Sequence, residues 1–256
     1  MRNIIVIAGT GDARAIIREL LKLNIMVTAT VTTEYGSELL EECRELSVLK
    51  GKLTSKEMLQ LIHDTGAKCL VDASHPFARE ASINAINASR EAGIPYIRYE
   101  RLETRIEDEC VIRVASFEEA ARRTLEIEGK ILLTIGSNHL EVFTKSIPDF
   151  KRRLFARVLP DSKVLAKCES LGLSPDNIIA VKGPFSGAMN TEMLKHCGAK
   201  ILVTKDSGEA GGTLQKIKAA RELGVSVILV ERPEIEYGNL IRDMGEVVRY
   251  VESILS

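Results

Sequence analysis

An α/β fold is what the sequence predicts, on three observations. Short β-branched runs alternate with amphipathic stretches along the whole chain. Most of those runs are continuously apolar rather than alternating, the pattern of strands buried on both faces of a parallel sheet that helices cover. Several amphipathic stretches stop at a glycine just before the next run, at Gly66, Gly93, Gly129, Gly198 and Gly224, where the residue after a helix often needs a positive φ. The repeating β-α-β-α order defines the class.

The expected strands in the first half are residues 3–8, 26–31, 47–49, 69–72 and 95–99. In the second half they are 130–135, 153–158, 178–181, 201–204 and 225–230. Helical spacing fills the intervals: Ala13, Ile16, Ile17, Leu20 and Leu21 recur at three and four residues, as do Leu59 and Ile62, Ala120, Ala121 and Leu125, and Leu214, Ile217, Ala220 and Leu223. Ten strands are many for one sheet, whereas five and five make two Rossmann-like domains. Each is expected to be a mainly parallel sheet flanked by helices, with a cleft between the domains. The N-terminal domain spans residues 1–100 and the C-terminal domain 111–256, with a crossover at 101–110. That crossover falls in a charge-rich stretch without apolar periodicity (ERLETRIEDEC, residues 100–110). The final helix, about 245–255, fits either domain by its pattern.

Composition narrows the function. The 256 residues are 45% hydrophobic and 28% charged, ordinary for a chain with a real core, and the net charge of −1 argues against nucleic acid as a partner. The five cysteines, Cys43, Cys69, Cys110, Cys168 and Cys197, are odd in number and lack C-x-x-C spacing. They read as reduced, buried thiols rather than as disulfides or zinc ligands. His63, His75, His139 and His196 form no metal-ligand spacing, so no metal is expected. The apolar run at 4–8 is too short for a signal peptide, and no stretch approaches a membrane span. A cytoplasmic location without a membrane partner is the expectation.

Ligands of open parallel sheets bind outside the carboxyl ends of the strands, so the residues just past each strand are the candidate site. Gly9, Thr10 and Gly11 follow the first strand and allow close backbone approach to a nucleotide at a helix N-terminus, although Arg14 stands where a third glycine would complete the dinucleotide fingerprint. Asp12 there would repel a pyrophosphate. On the alternative reading Asp12 complements the helix dipole and the glycines merely permit the turn. Thr32 and Thr33 follow the second strand, and hydroxyls there favour NADPH slightly over NADH. Asp72, Ser74 and His75 follow the fourth strand. Asp72 and His75 are candidates for acid/base work, with Pro76 at the first position of a helix and Ser74 or His75 as its cap. In the second half, Gly136 and Ser137 form a turn able to offer backbone N–H groups to an anion, Arg157 ends a strand, and Ser186 ends the 182–186 loop. Lys205, Asp206, Ser207 and Gly208 open a long loop with three glycines, and Lys216 lies on the helix after it.

In this order the motifs resemble those of the precorrin-6A reductase family of cobalamin biosynthesis. The resemblance rests on GTGDAR (9–14), DASHPFA (72–78), RYER (98–101), TIG (134–136), RVLP (157–160), GPFS (183–186), KDSGEAGG (205–212) and RP (232–233). Leu102 departs from the pattern, where proline is expected after RYER. The resemblance implies reduction of one macrocyclic double bond of precorrin-6A, or of its cobalt-containing counterpart, with NADPH as cofactor and a tetrapyrrole as substrate. Reduction also needs a proton on the neighbouring carbon, for which Asp72, His75 and Lys205 are the catalytic candidates, with solvent as the alternative source. Nucleotide contacts would come from Gly9, Thr10, Gly11, Thr32, Thr33, Gly136, Ser137, Ser207 and Gly208. Substrate contacts would come from Ser74, Arg98, Arg101, Arg157, Ser186 and Asp206, the arginines suiting a polycarboxylate. Two other classes remain open: a two-domain nucleotide-sugar transferase, and a non-catalytic two-lobed binder of small molecules.

Overall fold

The computed structural model describes residues 2–32, 34–40, 46–102, 108–208 and 211–256. The chain begins with β1 (Asn3–Ile7), α1 (Gly11–Lys22), β2 (Met26–Val31), α2 (Glu34–Glu38), β3 (Leu46–Lys50), α3 (Ser55–Thr65), β4 (Leu70–Asp72), α4 (Arg79–Ala92) and β5 (Tyr96–Tyr99). It continues through β6 (Val111–Val114), α5 (Phe117–Thr124), β7 (Lys130–Leu133), α6 (Leu140–Ser146), α7 (Phe150–Arg153), β8 (Leu154–Val158) and α8 (Ser162–Ser170). After a short 3-10 turn (Pro175–Asn177) come β9 (Ile178–Ala180), α9 (Gly187–Cys197), β10 (Ala199–Lys205), α10 (Thr213–Glu222), β11 (Ser226–Val230), β12 (Leu240–Ile241) and α11 (Met244–Leu255). No helix among the described residues is long and apolar enough to cross a membrane, and none of their His, Cys, Asp and Glu side chains group into a metal site.

Two six-stranded, wholly parallel sheets result, in the order β12-β5-β4-β1-β2-β3 and β6-β11-β10-β7-β8-β9. The α/β expectation of mainly parallel, helix-covered sheets therefore holds, with six strands in each sheet where five were expected. The additional strands are β6 and β12, and each joins an edge. β6 follows β5 in the chain but pairs with β11; β12 follows β11 but pairs with β5.

The chain divides into two compact units, Met1–Leu102 with Glu234–Ser256, and Glu103–Pro233. This corrects the expected C-terminal boundary, because residues 234–256 return to the first unit. The physical reason is burial: Ile241, Val247 and Val251 complete the core formed by Ile4, Ile16, Ile17 and Leu20 on one face of the first sheet. Fully burying such a side chain contributes roughly 1.5–3 kcal/mol. On the other face Met58, Ile62, Ala85 and Ala88 from α3 and α4 pack on Ile5 and Leu70. In the second unit, α9 and α10 pack Leu194 and Ile217 on Leu132 and Leu202, while α5 packs against α6, β6 and β11.

In each sheet the order of successive strands reverses beside the first central strand. β1 lies between β2 and β4, and β7 between β8 and β10. At such a point the loops leaving two neighbouring strands run to opposite faces and leave a crevice. The loops concerned are those after β1 and β4 in the first unit, and those after β7 and β10 in the second.

Candidate active site

In the first unit, the loop after β1 is tied to the loop after β4. The Thr10 hydroxyl accepts from the Ala13 N–H at 3.1 Å, capping α1, and donates to the Ala73 carbonyl at 2.9 Å. Gly9 has a φ of +132°, and no heavy atom lies within 4 Å of where a Cβ would stand. Its backbone is therefore conformationally reserved for glycine and open on that side. Asp12, in the first turn of α1, is ion-paired with Arg101. That pairing offsets the carboxylate charge that made this helix N-terminus a poor anion site on sequence grounds.

Asp72 ends β4 and is fully enclosed, at 0% exposure. One of its oxygens accepts from the Ser74 N–H and from Arg98 Nη1, both at 3.0 Å; the other accepts from Ser82 Oγ at 2.6 Å and Tyr96 Oη at 2.8 Å. Arg98 Nη1 also donates to the Ser74 carbonyl and hydroxyl at 3.2 Å, and its Nε and Nη2 donate to Glu100. Tyr237 lies over the guanidinium at 5.1 Å. Burial works against the charge of Arg98, but Asp72, Tyr237 and Glu100 outweigh it and raise its pKa. Burial and then the Asp72 carboxylate push the Tyr96 phenol up, so it stays a donor. This network holds the 73–75 backbone in place. His75 follows it, half-buried, with Nδ1 accepting from the Phe77 N–H at 3.1 Å. A neutral imidazole so bonded carries its proton on Nε2.

In the second unit, Thr134 bonds through both its N–H and its hydroxyl to the Val203 carbonyl. The turn then passes through Gly136, at φ +76° and again open around the Cβ position. After β10, Asp206 is 2% exposed and accepts from the Gly208 N–H at 3.1 Å. The Asp206 carbonyl accepts from Arg232 Nε. Gly211 sits so close to Ser207 that a Cβ would lie 2.2 Å from the serine Cβ, so the close fold of this loop demands glycine. Burial lowers the pKa of Lys205. Burial and then Lys205 lower that of His139, whose ring stacks on Phe117 at 3.8 Å.

The expected site residues thus separate into two kinds. Gly9, Thr10, Gly11 and His75 cluster at the crevice of the first sheet, and Gly136, Ser137, Lys205, Ser207 and Gly208 at that of the second. Asp72, Ser74, Arg98 and Asp206, expected to face a ligand, are instead enclosed and hold the loops, since strand-end polar groups buried there must be satisfied internally. Thr32 is exposed after β2, and Thr33 lies outside the described residues. Arg101 pairs with Asp12, Ser186 caps α9 through the Met189 N–H, and Arg157 donates to Asn190. The expected cap of α4 is corrected: Ala78 takes that position, because Pro76 lies in a turn closed from the Ala78 N–H to the His75 carbonyl. Sequence reading missed Ser82, Tyr96, Glu100 and Tyr237. It noticed Lys216 without assigning it a role. The signal was present in α10, where Lys216 shares the buried spacing of Thr213, Ile217 and Ala220.

Comparison with known proteins agrees over the whole chain. The family described as "Precorrin-6x reductase CbiJ/CobK" matches residues 3–252. A cobalt-precorrin-6A reductase of Priestia megaterium is 44% identical over 96% of this chain and 96% of its own length. One of Methanothermobacter thermautotrophicus is 40% identical over 95% and 86%. A solved structure titled "CobK precorrin-6A reductase" superposes with a TM-score of 0.79 at 21% identity, covering 99% of this chain and 97% of that one, and so shares its fold. Taken with the parallel sheets and their strand-end loops, these matches place the chain in the precorrin-6x reductase family of cobalamin biosynthesis, reductases acting on a ring carbon–carbon double bond.

Proposed function

We propose that this chain reduces a ring double bond of cobalt-precorrin-6A with NADPH as the hydride donor, acting in the cytoplasm on a free tetrapyrrole. The observation that carries the nucleotide part is the loop after β1. An open glycine backbone leads into the N-terminus of α1, and the one carboxylate of that first turn is paired with Arg101. Gly9, Thr10 and Gly11, with Thr32 beyond β2, are the residues that would hold the cofactor on the first unit. Gly136, Ser137, Ser207 and Gly208 offer comparable turns on the second. When bound, NADPH supplies the hydride.

The substrate is inferred from the relatives, whose printed names specify the cobalt-containing compound. Its carboxylates suit Arg157 and Lys205. The proton that accompanies the hydride is assigned to His75, which presents Nε2–H once Nδ1 accepts from Phe77. Asp72 acts by fixing the loop that carries His75. NADPH oxidation, followed by its near-ultraviolet absorbance, tests the reading with cobalt-containing and metal-free precorrin-6A in parallel. Turnover is expected with the cobalt compound, and a loss of about 10²-fold or more in kcat for His75→Gln. Absence of turnover with both substrates would reject the reaction, and an unaffected His75→Gln would reject the proton assignment.

A further inference from the structure

The carboxyl end of the second sheet holds a group of cations that the nucleotide turns do not use. β10, β7 and β8 lie side by side, with Val203, Leu133 and Ala156 level in register. One residue on, Thr204, Thr134 and Arg157 stand level and on one face. It is the face covered by α9 and α10, since Leu202, Leu132 and Phe155, two residues before them, pack there with Leu194 and Ile217. Arg157 lies over the Phe185 ring at 4.4 Å and donates from Nη1 to Asn190 Oδ1 at 2.8 Å, with Met193 Sδ at 3.4 Å. Lys216 descends from α10, is 5% exposed, and donates from Nζ to Thr204 Oγ1 at 2.8 Å.

Among the described residues the partners of both cations are neutral: Asn190, Met193 and Phe185 for one, Thr204 for the other. Lysine and arginine are rarely enclosed without a carboxylate, because desolvation of the charge is then uncompensated. Lys216 is enclosed and Arg157 half-buried, whereas Arg98 is enclosed between the carboxylates of Asp72 and Glu100. Burial, then the charges of Arg157 and Lys205, push Lys216 down to about 7, with Asp206 pulling the other way. Burial pushes Arg157 down to about 10. Those are the charged groups acting on the amine: Arg157 from β8, Lys205 from β10 and Asp206 from the loop after it. Asn190 and Met193, which α9 places beside Arg157, carry no charge.

We propose that Arg157 and Lys216 form an oxyanion site at the carboxyl end of the second sheet, and that Lys216 takes up a proton from solvent as the oxyanion enters. Arg157 supplies a standing charge. The Lys216 amine becomes fully charged when an anion is there to compensate it, while Thr204 keeps the amine in place. The oxyanion is a phosphate of the nucleotide or a ring carboxylate of the substrate. That choice rests on the reductase reading above; the site itself does not. An entering anion favours the charged amine and raises its midpoint. Between the free and bound midpoints each anion brings one proton, so affinity falls by up to about tenfold per pH unit as pH rises through that window.

The test is a carbon-13 NMR titration of the lysine ε-carbons in the full chain, alone and with sulfate, NADP+ or cobalt-precorrin-6A. Lys216 is assigned by the signal missing from Lys216→Met, or by the signal displaced in Thr204→Val if the first variant does not fold. A midpoint near neutrality in the free protein is expected, raised by about one pH unit or more by NADP+ or by the precorrin. Whichever ligand raises it identifies the source of the oxyanion. A rise with sulfate alone upholds the oxyanion site and rejects its link to the reductase reading. An ordinary lysine midpoint in the free protein, or a midpoint that none of the three probes moves, would overturn the proposal.

Discussion

A carboxylate on the last residue of a buried strand can serve a ligand or serve the loop that follows. At Asp72 the donors decide between these uses: four hydrogen bonds consume both oxygens at 0% exposure, and the cation that neutralises it is equally enclosed. Arg98 is therefore expected to act on stability. Arg98→Met leaves a buried carboxylate without its counter-charge and should cost roughly 3–5 kcal/mol, read as a lower urea midpoint. An unchanged midpoint with a raised KM for the tetrapyrrole would mean instead that Arg98 reaches the substrate. The same logic separates Asp206 from Lys205. Asp206 is spent on the Gly208 N–H, whereas Lys205 ends its strand with a pKa lowered by burial. Residue type and position relative to a strand end were legible in the sequence for all four. The enclosure of Asp72 and Arg98 was not, because it depends on Ser82, Tyr96 and Tyr237, which lie 10, 24 and 165 positions beyond Asp72.

Among the elements, ten of the described strands were legible from their apolar runs, and α3 was legible at both ends. α3 announces its start in Thr54 and Glu57, which form a reciprocal capping box, and its end in Gly66 at φ +61°. The strands missed from the sequence were the edge strands β6 and β12, of four and two residues. A two-residue strand carries no periodicity to detect; Leu240 and Ile241 become a strand only because Arg98 and Tyr99 of β5 have a free edge level with them. Among the described glycines, Gly211, in the loop between β10 and α10, is the most tightly placed. Gly211→Ala would drive a Cβ into Ser207, at 2.2 Å before any shift, so the loop must open. On the reading that this loop serves the nucleotide and the substrate, kcat/KM should fall by roughly 10²-fold while the thermal midpoint changes by only a few degrees. Steady-state kinetics alongside thermal unfolding checks this, and wild-type kinetics would remove the loop from the site.

At the level of the molecule, the C-terminal segment is a structural part of the first unit. Ending the chain at Pro233 would remove Ile241, Val247 and Val251 from the core around Ile4 and Ile17 and expose the β5 edge. The truncated chain is expected to lose the folding of residues 1–102 while residues 103–233, which keep all six strands of the second sheet, retain theirs. Limited proteolysis followed by mass spectrometry should recover a resistant fragment of the second unit only; equal resistance of the first unit would contradict this account. Hydrophobic pattern and glycine placement are local properties. They suffice for the α/β class, the parallel sheets and the motifs after β1, β4, β7 and β10 that mark the family. Strand exchange at the two edges, the return of α11 to the first core, and the enclosure of Asp72 and Arg98 are not local properties. They depend on which distant residues meet. In a parallel sheet every neighbour is supplied by a crossover connection, so this information is written across the whole chain and becomes visible only when it folds.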